Sequence, residues 1–166
     1  MKVIILVGGQ NSGKTTTLKK LIAELCLNRG ANIQNVQGVA RCSTFITEDK
    51  VTQKTLEQYM NQHLDVTIVI EYNNKRIGIT TIGDGWELIK EQFDRMGCCD
   101  IMICASHNRQ NIFNSISAYH NSTSCRVTSI EKIYQIKCIQ DQPNSNIQKV
   151  YDLADSLAVD EIISHL

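Results

Sequence analysis

The 166-residue sequence has little that would commit it to nucleic acid, to a membrane or to a structural metal. Lys plus Arg number 17 and Asp plus Glu number 17, so the net charge is zero. No run of basic residues supplies an electrostatic footprint for nucleic acid or an anionic bilayer. No apolar stretch is long enough to span a bilayer. The apolar start, Val3 to Val7, is too short for a signal-peptide core and runs straight into glycines. The 7 cysteines are odd in number and scattered. Cys98 and Cys99 are adjacent and near Cys104, but no CxxC pair or Cys/His ligand spacing occurs. Reduced, buried thiols in a cytoplasmic protein are the reading this favours. The single proline, Pro143, falls in a loop, and no repeat, linker or low-complexity stretch divides the chain. Residues 1–166 therefore read as one domain, long enough to bury its own core.

What is present alternates between strand and helix. Lys2 to Val7 (KVIILV) is a short continuous apolar run, the pattern of a strand buried on both faces. Thr15 to Arg29 turns helical, with Leu18, Leu21, Ile22 and Leu25 on one stripe and Gly30 as C-terminal cap. Asn32 to Val39 is a weaker strand, and Gln53 to Leu64 a polar helix with one apolar side. Asp65 to Tyr72 and Lys75 to Ile82 flank Asn73-Asn74, residues that tolerate the positive backbone angles of a tight hairpin. Trp86 to Met96 reads as a helix stopped by Gly97, Ile101 to Ala105 as a buried strand and Ile112 to Tyr119 as a short helix. Lys132 to Ile139 is the expected last strand. Ser145 and Gln148 have capping-box spacing ahead of a final amphipathic helix. The sum is an α/β fold of three layers, a mostly parallel sheet with helices on both faces and one antiparallel hairpin.

Between the first strand and the first helix stands VGGQNSGKTTT. Gly8-x-x-x-x-Gly13-Lys14-Thr15 matches GxxxxGK[ST] at every fixed position and in the strand-to-helix context the motif requires. Its chemistry is phosphate binding. Glycines let the loop curl so that amides point inward, and the helix N-terminus adds partial positive charge. Gly8, Gly9, Gln10, Asn11, Ser12 and Gly13 would form the cradle. Lys14 would bridge the β- and γ-phosphates, Thr15 would ligate magnesium, and Thr16 is an α-phosphate contact.

On these residues the chain resembles the P-loop NTPase superfamily, specifically from about Lys2 to Gly30. The stretch GKTTTLKKLIAELCLNRG is similar to the opening of small adaptor and maturation NTPases of the SIMIBI type, including the adaptor of molybdenum-cofactor nucleotide assembly. Such a cradle needs a magnesium partner on a neighbouring strand. Asp84, after the apolar strand Ile77 to Ile82, is the residue expected to supply it, since ligands of open α/β sheets bind at strand C-termini. The alternative for Asp84 is a helix cap in a glycine-flanked turn. The order of hairpin, Asp84, helix and strand also resembles Ras-like GTPases. That family has glycine three residues after the aspartate, where this chain has Glu87, and no [NT]KxD guanine motif follows here; Ile139-Gln140-Asp141 does not replace it. ATP is therefore expected over GTP.

Further residues have weaker claims. Glu87 could orient an attacking water, although an acid in a first helical turn is favourable without catalysis. Arg109, in SHNRQ, could neutralise charge on a γ-phosphate. Arg41, Thr44 and Thr47 are candidates for a switch-like loop over the nucleotide. His107 and His120 are read as solvated, and Trp86 as a packing residue rather than a base-stacking one. Three functions remain open: a slow magnesium-dependent NTPase acting as a switch or adaptor with a protein partner, a kinase acting on a small-molecule acceptor, and a non-catalytic nucleotide-binding accessory protein. A kinase would want an arginine-rich lid, and RQNIFNSISAYHNSTSCR offers only Arg109 and Arg126.

Overall fold

The computed structural model describes residues 1–39, 45–47, 51–107, 110–120, 125–135 and 145–166. Seven strands form one sheet: β1 (Lys2–Val7), β2 (Asn32–Val39), β3 (Phe45–Thr47), β4 (Asp65–Tyr72), β5 (Lys75–Thr80), β6 (Ile101–Ser106) and β7 (Ser129–Tyr134). Their order is β3-β2-β4-β5-β6-β1-β7. The strands β5, β6, β1 and β7 pair in parallel. The expected hairpin is β4–β5, turned by Asn73 and Asn74 at φ 52 and 59. Two further antiparallel pairings, β2 with β4 and β3 with β2, extend the sheet beyond it. Five strands thus run one way and β3 and β4 the other, which brings the C-terminal ends of β1, β5 and β6 to one edge.

Among the described residues five α-helices accompany the sheet: α1 (Lys14–Ala23), α2 (Gln53–Gln62), α3 (Trp86–Met96), α4 (Gln110–Ser117) and α5 (Ser145–Ser164). The period-2 geometry of a strand sends alternate β1 side chains to opposite faces. Ile4 and Leu6 join a buried cluster with Leu18, Leu21 and Ile22 of α1, Leu56 and Met60 of α2, and Val159 and Ile162 of α5. Val3, Ile5 and Val7 join a second cluster with Ile89 and Phe93 of α3 and Ile112, Phe113 and Ile116 of α4. Helices therefore cover both faces, and the continuous apolar run of β1 is explained. On the first face Lys19 fastens α1 to α2 by donating to the carbonyls of Met60 and His63 at 2.8 and 2.6 Å, a cationic C-cap.

Several boundaries differ from the sequence reading. The first helix is α only to Ala23 and continues as a π-helical turn, Glu24–Asn28, before the chain turns at Gly30. The last strand lies three residues earlier than expected, because pairing with β1 runs from Lys2↔Ser129 to Val7↔Tyr134; Ile139 and Asp141 are outside the described residues. The fourth helix begins at Gln110 and the fifth at Ser145 itself, so Ser145 is a first-turn residue rather than the cap. Strand β3 was not expected at all: its residues fall in the segment read as a switch-like loop.

Candidate functional site

The loop after β1 ends at Gly13, which caps α1 with φ 81, a left-handed conformation that glycine adopts without strain. It offers no side-chain cap, so the amides of the first turn of α1 are left for another acceptor. Lys14 opens the helix and folds back along the loop. Its Nζ donates to the carbonyl oxygens of Gly9 at 2.6 Å and Gly8 at 3.2 Å, and to Ser12 Oγ at 3.4 Å. Lys14 is 9% exposed and Ser12 is fully buried. Among the described residues no carboxylate lies within ion-pair distance of Lys14. Burial lowers the ammonium's pKa from its ordinary value, and the charge of Asp84 partly opposes that shift. Among the described residues the hydrogen-bond partners of this positive charge at the helix N-terminus are all neutral oxygens.

That ammonium borders a cavity of about 830 Å³ at the C-terminal edge of the sheet. One wall is the loop from Gly9 to Thr15; the other is Thr81, Gly83, Asp84, Ala105 and His107. Gln10, Asn11, Ser12, Gly13, Lys14 and Thr15 all line it, while Thr16 is exposed outside the lining. Gly83 is required by close approach: a Cβ there would stand 2.7 Å from the carbonyl oxygen of Ala105. This contact draws the segment after β5 against the end of β6. Thr81 anchors the same segment, donating to Asp65 Oδ1 at 2.7 Å and accepting from the Val66 amide at 3.0 Å. Gly85, extended and with open space around it, has no such constraint.

Asp84 faces the loop as expected, but not from a neighbouring strand. β6 lies between β1 and β5, so the wall opposite the loop is built from two strand ends, and Asp84 reaches the cavity from the farther one. Its carboxylate is 87% exposed and stands 3.5 Å from His107 Nε2. His107, read from the sequence as solvated, is part of this wall because it directly follows β6. Its position after a buried strand was the available signal.

The remaining expected residues separate. Glu87 is exposed on α3 beside Lys90, Glu91 and Asp94 and does not line the cavity. Thr47 lies in β3, five strands from β1 and so on the order of 24 Å away across the sheet. Arg41, Thr44 and Arg109 fall outside the described residues. Trp86 packs edge-on against Tyr119, ring centroids 6.0 Å apart, in agreement with the packing reading. Arg126 and His120 form an isolated β-bridge beside a separate hollow. The helix α4, within the stretch considered as a kinase lid, is docked on the sheet through Ile112, Phe113 and Ile116.

Behind the loop lies a polar network absent from the sequence reading. Asp155 of α5, 7% exposed, accepts from Thr17 Oγ1 at 2.7 Å and Gln135 Nε2 at 3.0 Å through Oδ1. Its Oδ2 accepts from Lys20 Nζ at 2.8 Å. Gln135 follows β7 and donates its amide to Val7 at 2.8 Å. The first turn of α1 is thereby tied to α5, to the end of β1 and to the residue that follows β7.

Among the described residues no group of three or more His, Cys, Asp or Glu side chains gathers to hold a metal unaided. Thr15 and Asp84 fit magnesium only in the manner that ion favours, with phosphate oxygens and water completing its shell. No helix among the described residues is long and apolar enough to cross a membrane. No protein-family model, curated protein or solved structure matches this chain.

Proposed function

We propose that this chain is a P-loop protein that binds a nucleoside triphosphate, ATP in preference to GTP, with magnesium, and hydrolyses it slowly as a cytoplasmic switch or adaptor. The observation that carries the reading is Lys14: a nearly buried ammonium, bonded among the described residues only to neutral oxygens, at an uncapped helix N-terminus bordering a cavity. Such a charge calls for an anion, and amides plus ammonium in a curled loop suit a phosphate chain. Lys14 would leave the Gly8 and Gly9 carbonyls to meet it. Thr15 and Asp84 would hold magnesium, which when bound withdraws charge from the phosphoryl oxygens. His107, whose Nε2 stands 3.5 Å from the Asp84 carboxylate, would orient it on closing that gap to hydrogen-bond distance.

Slow turnover follows from the same cavity. Asp84 is the sole carboxylate among its described lining residues, and a carboxylate engaged with magnesium is a poor base for water. Glu87 faces elsewhere. The cation often contributed in cis or by a partner is worth about 10³–10⁵ in rate, so a partner that supplies one would accelerate the reaction. This also keeps the non-catalytic accessory reading as the second choice. The docking of α4 favours both over a kinase.

The test is equilibrium binding of ATP with magnesium to the wild type and to Lys14→Met, which retains the buried stem and removes the charge. Loss of at least tenfold in affinity with an unchanged circular dichroism spectrum is expected. Equal affinity in the two proteins would refute the assignment.

A further inference from the structure

The cysteines depart from the expectation of reduced thiols in one place. Cys98 and Cys125 are placed to form a disulfide, 27 residues apart in sequence with Cα atoms 5.6 Å apart, inside the roughly 4.4–6.8 Å range that disulfides use. The other three cysteines among the described residues are buried thiols. Burial pushes Cys104 up to about 12 and Cys26 up to about 11, and raises Cys99 as well. Thiols of that kind are poor nucleophiles. Cys98 differs: it stands exposed in the turn after Gly97, where α3 ends. Cys125 is 8% exposed and directly precedes Arg126 of the isolated His120↔Arg126 bridge.

The bond therefore joins the end of α3 to the chain beyond α4, and Tyr119 sits between them. Tyr119 packs edge-on against Phe93, centroids 5.4 Å apart, and against Trp86. Its hydroxyl donates to Asp94 Oδ1 at 2.9 Å, and its carbonyl accepts from the Val127 amide at 3.5 Å. All three partners on the helix belong to α3, whose first residue, Trp86, is two positions after Asp84.

We propose that Cys98 and Cys125 form a reversible dithiol–disulfide site, exchanging with low-molecular-weight disulfides of the glutathione class, that clamps Tyr119 onto α3. Closure begins with the exposed Cys98 thiolate attacking one sulfur of glutathione disulfide, whose S–S bond breaks to release one glutathione thiolate. The Cys125 thiolate then attacks Cys98 Sγ, forming the internal bond and releasing the second glutathione. The two cysteine protons pass to the two glutathione thiolates. Two electrons leave the cysteine pair and reduce the glutathione disulfide. Opening is the same sequence in reverse. In a reducing compartment disulfides are typically transient and redox-sensing rather than permanent, and the exposed residue Cys98 gives exchange its entry.

The pair is tested on the full chain by equilibration across glutathione ratios, from those of a secretory compartment to those of the cytosol. The fraction of Cys98–Cys125 linked peptide is read by mass mapping, which separates it from links involving Cys42 or Cys138. Trp86 is the single tryptophan of the chain, so its emission reports the α3–Tyr119 contact without ambiguity. The linked fraction is expected to pass from near complete to near absent in one two-electron transition. Trp86 emission should change in step, and the melting temperature of the reduced form should fall by on the order of 10 °C. Cys98→Ser and Cys125→Ser should each hold emission at the reduced value under every ratio. A link that persists throughout, one that never forms, or a transition that leaves Trp86 emission unchanged would each overturn the proposal. None of these readouts uses nucleotide, so the result is independent of the phosphate-binding reading.

Discussion

Asp155 offers the sharpest quantitative test of how the phosphate loop is held. In Asp155→Ala, Thr17 keeps its 3.2 Å bond to the Gly13 carbonyl and Lys20 keeps its exposed partner Asp152, so neither is orphaned. Gln135 is worse placed. Its Nε2 loses the Asp155 acceptor, and its buried Oε1 has no partner among the described residues, leaving the side-chain amide unpaired among them. An unsatisfied buried group costs about 1–3 kcal/mol, and a lost hydrogen bond to a carboxylate about 1.5–3 kcal/mol. These overlap within one network, so a total of about 4 kcal/mol is expected. For a domain of this size that is a fall of roughly 8–16 °C in melting temperature. Asp155→Asn keeps the Oδ1 acceptor that Thr17 and Gln135 share and turns an amide toward Lys20, so it should cost about 1 kcal/mol. Urea unfolding of the three proteins measures both differences. A loss below about 1 kcal/mol in the alanine variant, or equal losses in the two variants, would refute the view that Oδ1 organises the loop's rear wall.

Other outcomes follow from the cavity itself. Asp84→Asn should weaken magnesium-dependent ATP affinity by about tenfold, or about 1.4 kcal/mol, and slow hydrolysis; wild-type values in a magnesium titration would refute that role, since the cap residue of α3 is Gly85 and no side chain caps it. Affinity for ATP should also depend on pH through Lys14. The protonated ammonium binds phosphate, and burial lowers its free-state pKa. Affinity is therefore full below that pKa and declines as pH rises through it, at lower pH than for an exposed lysine. Calorimetry from pH 7 upward checks this, and affinity that stays flat to about pH 10.4, the ordinary lysine value, would contradict it. Steady-state phosphate release by the isolated protein should stay below about 1 s⁻¹, under the kinase range, and Glu87→Gln should leave it unchanged. Competition binding should show ATP at least as tight as GTP.

The parts legible in the sequence are those fixed by local chemistry. The branched apolar run of β1, the stripe Leu18, Leu21, Ile22, Leu25 on the first helix and the Asn73-Asn74 turn each declare themselves within about ten residues, because strand burial, helical period and left-handed backbone tolerance are short-range properties. The phosphate loop is legible for the same reason. Strand order is not local. That β6 separates β1 from β5 depends on which apolar runs pair, and several runs here are equally apolar. His107 reads as solvated and Asp155 carries no signal, because each is an ordinary polar residue until the fold sets one beside Asp84 and the other beneath Thr17. The Cys98–Cys125 bond has a separation of 27 residues that matches no motif and arises only because α4 returns the chain to the end of α3. The short strand β3 hid in a segment whose polar residues suggested a loop.

The most direct measurement is amide hydrogen exchange of the whole chain with and without ATP and magnesium, resolved to short peptides. Phosphate bound in the loop would engage the amides between Gly9 and Thr15 and fix the wall at Thr81 to Asp84, so slower exchange is expected in both peptides. The Lys14→Met variant should lose that protection. Unchanged exchange in the loop at millimolar nucleotide, or protection confined to a different part of the surface, would contradict the assignment of this loop as the nucleotide site.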